Sequence, residues 1–442
     1  MALNSLFLDF NSYFASVEQQ VKPELRNKPV GVVPVMADTT CCIAASYEAK
    51  AYGVKTGTMV SDAKKLCPGI KLVEADHRTY IQYHNRLVKK VEECLPVDKV
   101  LSIDEMVCSL IGKERKREKA IEIALHIKKK IKDDVGEYLR CSIGIGPNQF
   151  LAKTGTKMQK PDGLVAIDNE DLPHCLYKLA ISDLYGVGRR MEVRLRRNGI
   201  YTVKDICNAD RVLLRCVWGG IEGERMYDQL RGKFVPRSLT HRSTVGHSHV
   251  LPPKLKNNES AYAVLHRLLQ KAAMRLRHLG YYAGALGVAV RYKVMDSFDN
   301  KIFNKSESGY PHSKKIKWKD YITFTYTQNT VELIKAFNIM WERNLFMEDI
   351  PTAVGVVLFN LLHENYATLP IFENYEKNKS LYTAIDLLNK RYGYASVYFG
   401  GSHTAKYSAP MRIAFTQIPD IEIEDDQKKY RLNTKYQISD TK

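Results

Sequence analysis

The chain has 442 residues, 45% hydrophobic and 26% charged, which is too long for one ordinary core, so two to four globular domains are expected. Its 67 Lys and Arg outnumber its 49 Asp and Glu, and a formal net charge of +18 points to a polyanionic partner, most simply nucleic acid, with a mere solubility charge as the alternative. No stretch is apolar enough to span a membrane, no signal peptide is expected, and nine cysteines without a Cys-x-x-Cys pair argue against a zinc ribbon and for reduced thiols in a cytoplasmic protein.

Residues 6–10, Leu-Phe-Leu-Asp-Phe, read as a buried strand with one charge, Asp9, in an apolar run, and a helix is expected to start just after it. Residues 21–75 form a small module. Asn27-Lys28-Pro29 is a turn signal, 30–35 and 40–45 are strands, and 47–52 is a short helix stopped by Gly53. Residues 78–94 and 116–135 carry apolar residues at helical spacing with Lys and Arg outside. Between them, 97–103 and 106–111 read as the arms of a hairpin whose turn holds Asp104 and Glu105, and 141–145 is a strand stopped by Gly146-Pro147. Residues 1–20 with 76–165 thus predict a mixed sheet with helices on one face.

Further along, Leu184-Tyr185-Gly186-Val187-Gly188 lies between two helical stretches and is followed by Arg189, Arg190, Arg194, Arg196 and Arg197. Short helices joined by Gly-x-Gly present backbone N–H groups to a phosphate, so this reads as a helix-hairpin-helix clamp on a nucleic-acid backbone, with an ordinary tight turn as the alternative. Trp218-Gly219-Gly220 with Gly223 is a second, weaker hairpin. Residues 232–244 are polar and basic and read as a linker. Strand 244–250, helix 259–279, strands 283–292 and 321–326, helix 330–343 and strand 353–361 spell βαββαβ, a four-stranded sheet with two helices on one face. Residues 294–319, with Lys301, Lys305, Lys314, Lys315, Lys317 and Lys319, read as a mobile basic insertion that either touches DNA or is a solvated loop. His247 and His249 flank one strand, as surface or core residues rather than metal ligands. One more helix is expected over 381–392, and 420–442 reads as a frayed tail.

The acids carry the chemistry. Adjacent strand residues face opposite ways, so Asp104 and Glu105 aim at one point only across a sharp turn. A buried acid pair needs a compensating cation, and two solvated hairpin acids are the alternative. Asp9 changes the balance, because a lone carboxylate in a buried strand is expelled or protonated. If 6–10 and 98–103 are neighbouring strands, Asp9, Asp104 and Glu105 converge. Three hard oxygen ligands suit Mg²⁺, and such a cluster is what two-metal phosphoryl transfer requires.

Leu6-Phe7-Leu8-Asp9-Phe10-Asn11-Ser12-Tyr13-Phe14-Ala15-Ser16-Val17-Glu18 resembles the opening motif of Y-family translesion DNA polymerases. Ser102-Ile103-Asp104-Glu105 resembles that family's catalytic turn, and Ala45-Ser46-Tyr47-Glu48-Ala49-Lys50-Ala51-Tyr52-Gly53-Val54 its finger motif. The resemblance implies an α+β multidomain fold, a right-hand polymerase with palm (1–20 and 76–165), fingers (21–75) and thumb (166–232). A linker (233–243), a βαββαβ little finger (244–415) and a tail (416–442) follow. It implies a template-directed DNA polymerase that adds dNTPs to a primer on template DNA, in error-prone translesion synthesis during the SOS response. His247-Ser248-His249 and the extended C-terminus favour the UmuC-like branch of Gram-positive bacteria. A noncatalytic DNA-binding scaffold of the same fold is the alternative. A two-metal nuclease is a weaker rival, which leaves Phe14, Tyr47 and Lys50 without a purpose.

By the same resemblance, Asp9, Asp104 and Glu105 with the Phe10 carbonyl hold two Mg²⁺ ions, with Mn²⁺ as a substitute. Phe14 is the steric gate under the incoming sugar, and Tyr13 beside it also binds the nucleotide. Tyr47 and Lys50, three apart on one helix face, bind the triphosphate; the family usually has Arg at the Lys50 position, so a fork is replaced by a point charge. Lys160, in Lys160-Pro161-Asp162-Gly163 after Asn148-Gln149-Phe150-Leu151-Ala152-Lys153, also reaches the triphosphate, and Gln149 stands where the family commonly has Lys. Cys41 and Ile43 roof the nascent base pair, while Gly186, Gly188, Arg189 and Arg190 grip DNA. Leu369, Ile371 and Phe372, in region 366–372, resemble a Gln-Leu-x-Leu-Phe peptide that docks on the replication sliding clamp, with Ala367 or Thr368 where Gln is expected. The alternative is that they pack back onto the little finger.

Overall fold

The structure is a computed structural model that describes residues 3–38, 40–236, 242–293, 315–346, 348–367, 375–393, 395–413 and 418–424. Two units emerge, 1–238 with 412–419, and 239–411 with 420–442. In the first, β1 (Ser5–Phe10) turns into α1 (Tyr13–Val21) through Ser12, whose φ of 49° is left-handed. Then come β2 (Val30–Val33), β3 (Ala44–Ala45), α2 (Tyr47–Ala51), α3 (Val60–Leu66) and β4 (Lys71–Glu74). Ser46 caps α2 by accepting from the Ala49 N–H, and Gly53 supplies the positive φ after it. β2 pairs antiparallel with β3 and parallel with β4, over a local core of Val33, Cys42, Ala45, Ala49, Val54 and Val60. The strand expected over 40–45 shrinks to β3, because Cys41 bridges instead to Met59.

The chain then runs through α4 (His77–Glu92), β5 (Lys99–Ser102), β6 (Glu105–Ser109), α5 (Arg117–Asp134), β7 (Cys141–Gly146), α6 (Gln149–Met158) and β8 (Leu164–Ala166). The sheet order is β5-β6-β1-β7-β8, antiparallel except between β7 and β8. The neighbour of β1 is therefore β6, not the arm over 98–103. Helices on one face of this sheet do not suffice either, since all six residues of β1 are buried. Phe7, Val107 and Ala152 pack together on the α6 side, where Gly144 allows contact so close that a Cβ would stand 1.9 Å from the Ala152 carbonyl oxygen. The opposite row, Leu6, Leu8, Phe10, Met106, Ile143 and Ile145, is equally buried.

α7 (Arg189–Arg197), α8 (Val203–Asn208), α9 (Arg211–Trp218) and α10 (Ile221–Gln229) surround Leu184, Val187, Leu195, Ile206, Leu214 and Met226. α9 and α10 cross at Gly223, where a Cβ would lie 2.1 Å from the Leu214 carbonyl oxygen.

The second unit contains β9 (Thr244–Val250), α11 (Asn258–His278), β10 (Tyr281–Lys293), β11 (Lys315–Thr327), α12 (Thr330–Glu342) and β12 (Ile350–His363). This is the βαββαβ order, folded as an antiparallel sheet β11-β10-β12-β9. Val264, Leu268, Leu286, Val288, Phe337, Val356 and Leu358 join the helices to one face, and His249 is buried on β9. The other face is open, with Ser248, Lys317, Lys319, Tyr321 and Thr323 exposed. Lys315 to Lys319 thus belong to a strand rather than to the basic insertion. The rest of that insertion, Lys301, Lys305 and Lys314 included, lies outside the described residues, as do Leu369, Ile371 and Phe372. α13 (Tyr375–Tyr392) starts earlier than expected and is tied to α11 by Arg277, whose guanidinium grips Asp386 at 2.7 and 2.9 Å. The expected tail is partly built into the fold. α14 (Ile421–Glu424) pairs with Arg275 through Glu424 at 2.6 Å, while 412–413 and 418–419 group with the first unit rather than with the little finger or a tail. Among the described residues, no helix is long and apolar enough to cross a membrane.

Candidate active site

Period-2 alternation puts Ser5, Phe7 and Asp9 of β1 on one face, and the register sets Asp9 directly opposite Glu105. Ser102 pairs with Glu105, so Ile103 and Asp104 form the two-residue turn of the β5–β6 hairpin. That turn is stitched to the end of β1, because the Phe10 N–H donates to the Asp104 carbonyl at 2.9 Å. The Asp104 carboxylate accepts from the Ser102 hydroxyl at 2.6 Å. Burial, then the neighbouring charges of Asp9 and Glu105, hold its carboxyl above the usual carboxylate range. Asp104 thus comes into the electrostatic neighbourhood of Asp9 and Glu105 through β6 and its turn.

Two lysines meet these acids. Lys153 Nζ bridges Asp9 Oδ2 at 2.5 Å and Glu105 Oε1 at 2.7 Å, and Lys160 Nζ lies 2.6 Å from Asp9 Oδ1. Lys160, expected at a triphosphate, sits here on a carboxylate. Lys153 went unassigned in the sequence, where it is one residue of a motif. The available signal was a lysine among Phe150, Leu151, Ala152 and Thr154 of α6, all buried. Its side chain is 5% exposed and its ammonium lies 4.7 Å from the Phe7 ring centroid. Burial pulls its pKa down, but Asp9 and Glu105 outweigh that and hold it above the ordinary lysine value.

Among the described residues, no three His, Cys, Asp or Glu are grouped so as to hold a metal. Ser102 engages Asp104, and Lys153 spans the other two acids. The donors are nevertheless hard carboxylate oxygens, the kind Mg²⁺ takes. The space between Asp9 and Glu105 already suits a cation in sign and reach, since an ammonium sits in it. The residues present therefore fit a divalent ion.

Around this centre, Phe14 stacks on Tyr80 with centroids 4.6 Å apart and planes at 17°, and His77 meets its ring edge-on at 6.1 Å. Tyr80 in turn donates to Glu18 at 2.7 Å, and Glu18 pairs with Lys22 at 2.8 Å. None of these supports of Phe14 was picked out from the sequence. Tyr13, expected to bind nucleotide, is a core residue whose hydroxyl donates to the Tyr80 carbonyl at 2.7 Å, which leaves only its backbone for a ligand. Lys50 Nζ lies 4.3 Å from the Tyr47 ring centroid and 2.6 Å from Ser12 Oγ. Burial and Lys160 lower the Lys50 pKa, and burial and Asp9 push the Tyr47 hydroxyl up to about 12. These two residues thus share the acids' electrostatic neighbourhood. Cys41 and Ile43 are half-buried, with Cys42 between them fully inside.

The Gly186 to Gly188 loop is anchored by buried Leu184 and Val187, while Gly186, Gly188, Arg189 and Arg190 are exposed. Gly186 has φ 84°, and Gly188 is the N-cap of α7. Its leading arm is only the 3-10 turn Ile181–Asp183, so the expected helix-hairpin-helix is incomplete here. The Gly219-Gly220 connection, expected to be the weaker, joins two α-helices.

An acid-bearing sheet with a basic surround and a separate βαββαβ unit defines a nucleic-acid enzyme rather than a small-molecule one. Residues 8–157 match the impB/mucB/samB family and residues 242–370 match the C-terminal domain of that family. DNA polymerase IV of Moorella thermoacetica is 31% identical over 395 residues, covering 88% of this chain and 93% of that protein. DNA polymerase IV of Pelotomaculum thermopropionicum is 31% identical over 398 residues, 89% and 93% of the two chains. In fold, the chain is similar to a Y-family DNA polymerase chimera, Dbh-Dpo4(243-245)-Dbh, with a TM-score of 0.66 at 21% identity over 81% of this chain and 99% of that one. DinB from Sulfolobus solfataricus gives a TM-score of 0.51 at 22% identity, with 81% and 99% covered. The chain belongs to the Y family of DNA polymerases and is a DNA-directed DNA polymerase.

Proposed function

We propose that this polymerase extends a primer by two-metal phosphoryl transfer and copies damaged template with a permissive site, as part of an SOS-type repair response in the cytoplasm. The observation that carries the reading is the pairing of Asp9 with Glu105 across β1 and β6, with Asp104 at the hairpin turn beside them. These carboxylates, with the Phe10 carbonyl, would hold two Mg²⁺ ions, or Mn²⁺ in their place. When bound, such ions activate the attacking hydroxyl and neutralise the leaving phosphate. Tyr47, Lys50 and Lys160 bind the dNTP triphosphate, and Phe14, held flat on Tyr80, bounds the sugar. Cys41 and Ile43 face the nascent base pair. Gly186, Gly188, Arg189 and Arg190 grip the backbone of primer-template DNA through exposed N–H groups and guanidiniums. The open face of the second unit's sheet adds Lys317 and Lys319.

The related Dbh polymerase has been captured in an insertion ternary complex, which supports assigning DNA and nucleotide to this chain. Leu369, Ile371 and Phe372 are proposed to dock on the sliding clamp. Placement in the UmuC-like branch rests on His247-Ser248-His249 and the C-terminal extension, while the relatives named above are DNA polymerase IV proteins. Primer extension with Mg²⁺ tests the reading. Wild type should add templated dNTPs and Asp104→Ala none. Binding without extension by the wild type would instead favour a DNA-binding scaffold, and primer degradation a nuclease.

A further inference from the structure

We propose that Lys153 is the internal counter-ion of the acid pair, occupying in the metal-free protein the place between Asp9 and Glu105 that a divalent ion takes when the enzyme is loaded. Metal entry is then an exchange of ammonium for metal. This rests on the reading of Asp9 and Glu105 as metal ligands.

The geometry carries the assignment. Lys153 Nζ reaches one oxygen of each acid, at 2.5 and 2.7 Å, and does so from α6, which packs on the Phe7 face of the sheet. Asp9 and Lys153 have side chains 9% and 5% exposed, so water competes weakly for either charge, while Glu105 is 27% exposed. Two like charges set opposite each other on paired strands repel unless a cation stands between them. Lys160 cannot serve in this way, because it touches only Asp9 and is 31% exposed. Lys153 is held there by more than the two acids. Its ammonium also lies 4.7 Å from the centroid of the Phe7 ring, which packs with Val107 and Ala152. A divalent ion therefore has to outcompete a charge already in place, and removing that charge deepens the negative field the ion meets.

The test is metal binding to the DNA-free protein, with Mn²⁺ titrated by electron paramagnetic resonance. Lys153→Met keeps the stem and removes the charge, and Lys153→Arg keeps the charge. Lys153→Met should bind Mn²⁺ about tenfold or more tightly than wild type, the equivalent of about 1.4 kcal/mol. Its melting temperature in EDTA should fall, and Mg²⁺ should raise it by more than it raises that of the wild type. Lys153→Arg should stay near wild type in both measurements. Lys153→Gln serves for both if the Met variant does not fold. Unchanged or weaker Mn²⁺ binding in the neutral variants overturns the counter-ion role. Asp9→Asn is the separate control. If it leaves Mn²⁺ binding intact, the metal-ligand reading fails, whatever Lys153 does.

Discussion

Asp104→Asn should make the metal-free protein more stable while it destroys nucleotide addition. The Asp104 carboxyl lies above its ordinary range because of burial first, and then because Asp9 and Glu105 are negative neighbours. An acid raised in this way binds its proton more tightly folded than unfolded. Its stabilising contribution is present below the unfolded pKa, about 3.9, and is lost as pH rises through the folded pKa. Ionising this carboxylate as pH rises therefore disfavours the fold. Asparagine removes the charge but keeps an oxygen to accept from Ser102, whose hydroxyl lies 2.6 Å away. The expected gain is on the order of 1 kcal/mol at neutral pH, within the range of stability recovered when a functional site is neutralised. For a unit of this size that is a rise of about 2–4 °C. Calorimetry in EDTA at several pH values measures it, and the difference should shrink as pH falls toward the unfolded value. A destabilised variant, or a gain independent of pH, refutes the electrostatic account. The same protein should bind primer-template within a few-fold of wild type, and residual extension above a few per cent would remove Asp104 from the metal site.

Phe14→Ala should lose the stack on Tyr80, which contributes about 1 kcal/mol, and should lower discrimination against ATP relative to dATP on the order of a hundredfold. An unchanged ratio in single-nucleotide incorporation would make the ring mere packing. His77, pulled down to about 4 by burial and then by Arg412, stays neutral in the fold and takes its proton first in the unfolded chain. Stability should therefore fall as pH drops from 6.5 towards 4, by up to about 3 kcal/mol, and His77→Gln should flatten that slope in an acid titration followed by circular dichroism. DNA affinity should fall steeply with salt, and Lys317→Ala and Lys319→Ala should each reduce the log–log slope by about 0.9 if they neutralise a phosphate. An unchanged slope takes them off the DNA path.

Much of the frame was legible because it is written in local periodicity. β1 is an apolar run broken by one acid, and the βαββαβ order follows from alternating period-2 and period-3.6 stretches. Which arm of the hairpin lies beside β1 was not legible, since Val100-Leu101 and Met106-Val107 are equally apolar and only the closed sheet decides between them. β11 was readable in principle. Lys315-Ile316-Lys317-Trp318-Lys319 alternates as a strand with one solvated face, but the charge density reads as a loop. Lys153, Tyr80 and Glu18 were illegible for a different reason. A lysine in a helix, a tyrosine at helical spacing and a glutamate near a helix end are ordinary in sequence. They acquire meaning only through distant partners, 144 and 48 residues away for Lys153 and 62 residues apart for Tyr80 and Glu18.

The acids also weigh against a protein that only holds DNA. A surface meant to bind phosphates gains from every lysine and loses from every nearby carboxylate. Here Asp9 and Glu105 capture Lys153, so one of the chain's cations is spent inside rather than offered to a polyanion, and Asp9 draws the more exposed Lys160 as well. Asp104 is held at the same spot although burial and like charge both oppose its ionisation. A binding scaffold would be more stable, and a better polyanion ligand, with an amide at that position. An arrangement that disfavours the fold and weakens phosphate attraction at one point is explained if that point must receive a divalent cation, and a nucleotide with it, during turnover. The paired acids Asp9 and Glu105, the lysines drawn to them and the turn that holds Asp104 therefore point in one direction, towards catalysis.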